Sequence, residues 1–272
     1  MKRIAAALLI VMLVAFLAGC GGGPEDGEQS QTSDTISLLT ASTQAMSELE
    51  GYRMTGTINI GSGTDGAGGQ GQPVSMDIRA DVQNSGGEMR QHMFATIGEY
   101  EVEAYIVGGV YYQNIPGQGW QKSSVAANQI QGMNIGLVDA EQMEMMAEMA
   151  KDAEVIDEDE ETEVLSLQLD QDYFQASMEI YRDYMEEAEE QLPEEWLEMV
   201  ESISAFQAEL RIWVRKADDL FQRMEMNYEM SGLEGLGTIT SSMEMDFFDY
   251  GEDILVELPE EAAQAPEVEL TQ

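Results

Sequence analysis

The stretch Phe206 to Val214, FQAELRIWV, alternates: Phe206, Ala208, Leu210, Ile212 and Val214 are apolar, and Gln207, Glu209 and Arg211 stand between them. Successive side chains of a strand point to opposite faces, so this period of two predicts a strand with one buried and one wet face. The pattern returns at Leu220, Met224, Met226, Tyr228 and Met230, and again at Ile239, Met243, Met245 and Phe247. Three long strands of this kind close the chain and set its class as a β-rich domain with an apolar sheet face.

Working outward, the same period runs through Tyr52, Met54, Ile58 and Ile60, through Val74, Met76, Ile78, Ala80 and Val82, through Met89, Met93, Ala95 and Ile97, and through Tyr100, Val102, Ala104 and Ile106. Short turns at Asn84-Ser85-Gly86-Gly87, Gly98 and Gly108-Gly109 separate these runs, and Pro116-Gly117 joins a further hairpin ending in Gly119-Trp120-Gln121-Lys122. Sequential strands with tight turns predict an antiparallel meander. The Gly-, Ser- and Gln-rich segment Gly61 to Gln72 reads as a long hairpin loop.

Helical spacing predicts an amphipathic helix over 34–50, a Met-bearing helix over 140–151, a longer one over 171–191 and a short one from Pro193. The 171–191 helix carries Tyr173, Ser177, Ile180, Tyr181, Tyr184 and Ala188 on one stripe. Val164 to Asp170 is expected to be a strand, and the acidic run Asp157 to Glu161 a solvated loop before it. A last short strand is expected at Ile254 to Val256, with an acidic, disordered tail over 260–272.

The N-terminus explains where such a domain would work. Met1-Lys2-Arg3 precedes an apolar run from Ile4 to Leu17, which ends at Leu17-Ala18-Gly19-Cys20. A basic end, a short apolar segment and small residues before a cut make a secretion signal. The run is shorter than the roughly 20 residues a membrane span needs. Cysteine directly after Leu-Ala-Gly resembles the lipobox of bacterial lipoproteins. That resemblance implies a signal peptide over 1–19, lipidation of Cys20, a flexible tether over 20–33 and a membrane partner reached through the lipid anchor. The expected location is extracytoplasmic, on the outer face of the cytoplasmic membrane, or periplasmic if a second membrane exists.

Composition narrows the partners. The chain has 12 basic and 53 acidic residues. Removing Lys2 and Arg3 with the signal leaves 10 against 53, a charge of −43. Such a domain lacks the basic footprint that nucleic acid requires, and an anionic membrane surface repels it. The same acidity suits a protein working in high salt, where self-repulsion is screened.

Catalytic chemistry finds little support. His92 is the sole histidine, no Gly-x-Ser-x-Gly elbow accompanies it, and Cys20 is the sole cysteine. Carboxylates are too numerous for any pair to stand out. Read as a calcium loop from Asp157, the sequence puts Thr162 where glycine belongs and Gln168 where the bidentate glutamate belongs. Met143, Met146 and Met149 have a spacing that could hold Cu(I), but helix packing explains it equally well. No metal or cofactor is expected. The 20 methionines serve either as core filler or as the adaptable lining of a hydrophobic cavity.

The order of elements, with the Arg211-Ile212-Trp213-Val214-Arg215-Lys216 and Phe247-Phe248-Asp249-Tyr250-Gly251 stretches, resembles the LolA-like lipoprotein superfamily, including its LppX/LprG-type members, over residues 34–259. The chain departs from it at Val214-Arg215, where an aspartate is usual, and in the glycine-rich 61–72 loop. The resemblance implies an α+β fold: a curved, open antiparallel half-barrel with helices in its concave mouth. It also implies a non-catalytic carrier of lipid or another hydrophobic ligand. Leu210, Ile212, Met224, Met226, Tyr228 and Met245 are the candidate lining. The alternative is a structural or protein-interaction module of the envelope with the same fold and a filled core.

Overall fold

The computed structural model describes residues 31–63, 73–85, 88–123, 152–187, 202–233 and 237–267, with residues 143, 146, 147, 149 and 150. Its elements run α1 (Gln31–Glu48), β1 (Gly51–Gly63), β2 (Val74–Ser85), β3 (Glu88–Ile97), β4 (Tyr100–Val107), β5 (Val110–Ile115), β6 (Gly119–Ser123), β7 (Asp152–Glu158), β8 (Thr162–Leu169), α2 (Gln171–Glu187), β9 (Ala205–Arg215), β10 (Phe221–Leu233), β11 (Gly237–Phe248) and α3 (Glu260–Ala263). The strands form one antiparallel sheet of 11, ordered β6-β5-β4-β3-β2-β1-β11-β10-β9-β8-β7. The outermost strands do not meet, so the sheet stays open. It is the α+β half-barrel class expected from the sequence.

Curvature and roof follow from the apolar face. A single cluster gathers Leu39 and Met46 of α1, Tyr173 and Phe174 of α2, and inward side chains of β1–β4 and β8–β11. The α1 helix touches both β7 and β10, while α2 touches β8 and β9. Gly56 sits within β1, the sixth of the ordered strands, where a Cβ would lie 2.6 Å from the Glu244 carbonyl oxygen and 3.0 Å from Met245 Cγ. Glycine in a strand interior permits such a close approach and bend. Tyr250 braces the adjacent corner: its hydroxyl lies 2.5 Å from the Phe221 carbonyl oxygen and 2.6 Å from that of Phe247. The Arg215 guanidinium covers its ring at 4.8 Å.

Three expectations need correction. The acidic run is not simply a loop: Asp157 and Glu158 end β7, an edge strand with only Ala153 buried. Val155 shares the face of Ala153 but stays exposed, so too short a run is buried to leave a readable alternation, and charge on an edge discourages foreign pairing. The turn that follows is held by Asp159, whose Oδ1 accepts from the Glu161 and Thr162 amides at 2.8 and 2.7 Å.

The C-terminal segment also differs. Ile254 to Val256 form no strand, and order does not stop at Pro259. Ile254 and Val256 pack on Tyr105, with Trp120 and Leu258 beside them, on the sheet's outer face. Ala262 is wholly buried, and the Lys122 amide donates to the Pro266 carbonyl at 3.1 Å. Outer aromatics on β4 and β6 give this segment an apolar seat, so it remains in the fold through Glu267. The first helix begins at Gln31, inside the expected tether, because a first helical turn tolerates polar residues whose amides lack helical partners anyway. The 61–72 loop (beyond Gly63), the 193 helix and Cys20 lie outside the described residues, and of the 140–151 helix only residues 143, 146, 147 and 149 are described as helical.

Candidate hydrophobic-ligand site

Strand register brings the six candidate residues together. One row across the inner face reads Leu165, Ile212, Met224, Met245, Gly56 and Ile78. The next reads Leu167, Leu210, Met226, Met243, Ile58 and Met76, and the third Leu169, Ala208, Tyr228, Ser241, Ile60 and Val74. Ile212, Met224, Met245, Leu210, Met226 and Tyr228 therefore form one contiguous patch on β9, β10 and β11.

Their burial separates them. Leu210 and Ile212 are 0% exposed and Met245 is 2%, so these three have virtually no surface left for a ligand. Met224 and Met226 retain 8% each, and Tyr228 is half-buried. Along the second row exposure rises from Leu167 and Leu210 through Met226 to a peak at half-buried Met243, which the sequence did not single out as lining, and falls again at Ile58 and Met76. Residue type changes with it: leucine and isoleucine occupy β8 and β9, while methionine occupies β10 and β11. Branched side chains have few rotamers and pack into fixed shapes, whereas methionine adapts to irregular space.

Polar groups also occur on this face. Ser241 and Ser177 are buried, as is the ring of Tyr173. Burial pushes the Tyr173 phenol up to about 12, partly offset by Ser177. Burial likewise raises Tyr228, with Ser241 opposing. Each serine lies near enough to its tyrosine to influence it, yet neither pair reaches hydrogen-bond geometry. Sequence reading placed Tyr173 and Ser177 on a helix stripe but missed Ser241, although it interrupts the apolar alternation between Ile239 and Met243.

The outer face is a different chemical surface. Arg223 lies 2.6 Å from Glu225 and 2.7 Å from Glu244, with its guanidinium 5.6 Å over the Trp213 ring. Arg53 bridges Asp81 at 3.2 Å and Asp249 at 2.7 Å. His92 Nε2 is 2.9 Å from Glu103 Oε1, and its ring stacks on Tyr105 at 4.0 Å. Among the described residues, no group of three or more His, Cys, Asp or Glu could hold a metal ion. No described helix is long and apolar enough to cross a membrane.

An open half-barrel with an apolar inner face and a charged outer one is the scaffold that fold and site define. Residues 34–267 match the family described as "Family of unknown function (DUF6612)", and the chain belongs to that family. No curated protein matches it in sequence. Among solved structures it is similar to LprF from Mycobacterium bovis, at 12% identity over 85% of this chain and 99% of that one, with a TM-score of 0.45. It is also similar to a DUF1329 family protein from Desulfovibrio piger, at 8% identity over 84% and 96% and a TM-score of 0.31. A LolA superfamily protein from Nitrosomonas europaea is similar at 11% identity over 85% and 96%, with a TM-score of 0.25. At these identities and TM-scores, neither a residue role nor a function passes from these proteins to this chain.

Proposed function

We propose that this protein is an extracytoplasmic lipoprotein, anchored by lipid on Cys20, that holds a lipid or another hydrophobic ligand on the inner face of its sheet without catalysis. The observation that carries this reading is the change along the second and third inner rows from buried Leu167, Leu210 and Ala208 to partly exposed Met243 and Tyr228. A sheet evolved only for stability gains most from rigid packing throughout. A methionine sector beside a rigid one is suited to flexible apolar ligands. The His92 contacts with Glu103 and Tyr105 support a structural role for that imidazole.

Native mass spectrometry and solvent extraction of the purified chain test this reading. Apolar molecules should co-purify with it or be taken up from added lipid; a chain that carries none and takes up none sinks the proposal. The anchor has its own test: Cys20→Ala should move the chain from the membrane fraction to the soluble one with its unfolding temperature unchanged. Continued sedimentation with membranes would refute lipidation at Cys20. The second reading, an envelope interaction module with a filled core, draws on the near-complete burial of Leu210, Ile212 and Met245. It predicts no uptake under the same conditions.

A further inference from the structure

The inner face carries a group of polar side chains that its packing does not explain. Tyr173 and Ser177 stand one turn apart on α2, and Tyr228 and Ser241 pair across β10 and β11. Phe206 joins them, its ring centroid 6.4 Å from that of Tyr173 and 6.2 Å from that of Tyr228. All four hydroxyl oxygens are buried without a protein hydrogen-bond partner. Tyr173 is 2% exposed, Ser177 5% and Ser241 6%. A buried hydroxyl left unpaired keeps its desolvation penalty, so two Tyr–Ser pairs whose tyrosines flank Phe206 carry a cost that Phe and Ala would avoid.

The geometry points to a neutral-hydroxyl subsite in which Tyr173, Ser177, Tyr228 and Ser241 bind the uncharged carbonyl end of an amphiphile, an ester or amide, with its chain along Met226 and Met243. This rests on the hydrophobic-ligand reading and narrows its chemistry. Phenols kept protonated by burial are donors in search of acceptors, and a carbonyl oxygen offers lone pairs without charge. A carboxylate would have to shed its water where the buried polar residues are all Ser, Thr and Gln, with no cation among them. An ammonium would meet the same lack of a counter-charge.

The test compares three probes of equal chain length, monoolein, sodium oleate and 1-octadecene, binding to the full-length chain held in amphipol. Monoolein should bind about tenfold tighter than either other probe, the ratio expected from one or two net hydrogen bonds of about 1 kcal/mol. The Tyr173→Phe/Tyr228→Phe pair should bring monoolein down to the octadecene level and leave octadecene binding unchanged. Its unliganded unfolding temperature should hold or rise, because an unsatisfied group has been removed; Ser177→Ala/Ser241→Ala should act in the same direction. A monoolein preference that survives both pairs overturns the subsite. So does a loss of all binding together with a fall in unfolding temperature. Equal binding of monoolein and octadecene by the unmodified chain overturns the subsite alone, while binding of no probe overturns the hydrophobic-ligand reading with it.

Discussion

The β8–β9 and β10–β11 sectors of the inner face share a period, a register and an apolar character, yet they behave as different materials. Leu165, Leu167, Leu210 and Ile212 are all 0% exposed, and α2 lies against their strands. Met224, Met226, Tyr228 and Met243 keep some surface, and their flexible or polar-tipped side chains can rearrange. Alternation therefore decides which way a side chain points. The helix above it and the branching of its neighbours decide whether it becomes core or lining.

The sharpest way to break this contrast is to truncate one residue from each sector. Leu210→Ala should cost about 2–5 kcal/mol in chemical unfolding, as expected for a wholly buried leucine. Met243→Ala, half-buried, should cost no more than about 1 kcal/mol, and equal losses would erase the distinction. Gly56→Ala, at the bend beside Met245, forces a Cβ against the Glu244 carbonyl and should cost about 1–3 kcal/mol. If it is neutral, the bend is not set there.

Tyr250→Phe removes the hydroxyl that meets the Phe221 and Phe247 carbonyls and should cost about 1–2 kcal/mol, with a larger effect on β10–β11 amide exchange than on β8–β9. The smallest effect concerns pH. Hydrogen bonding from Arg215 holds the Asp218 carboxyl below the usual range. A depressed folded pKa stabilises above the unfolded value and is lost as pH falls through the folded one. This pair is largely solvated, so Asp218→Asn should remove only about 0.2–0.5 kcal/mol near neutrality and less in acid. Urea midpoints at neutral and acidic pH would check the sign.

The sequence carried the meander, the three closing strands and the contiguity of the candidate patch, because burial on one face leaves a period of two. It could not separate Ile212 from Met224. Both obey the same alternation, and the packing that buries one comes from distant helices. Edge strand β7 was illegible because only Ala153 is buried. The seat of the C-terminal segment was hidden because Ala262 and Ala265 look like linker until β5 and β6 are found against α3. Ser241 was legible in principle as a polar interruption of an apolar stripe, but its meaning depends on Tyr228 across the ladder.

The bond from the Lys122 amide to the Pro266 carbonyl limits how this chain can assemble. An open sheet ordinarily has two rims, and copies joined rim to rim can grow without end. Here one rim is stoppered by the chain's own terminus, which leaves β7 as the rim without a strand partner among the described residues. That rim is guarded by its own acidic residues, so neither edge offers a ready template for a second copy. Removing residues 260–272 should bare the β6 edge alone, and sedimentation would then find dimers but nothing larger.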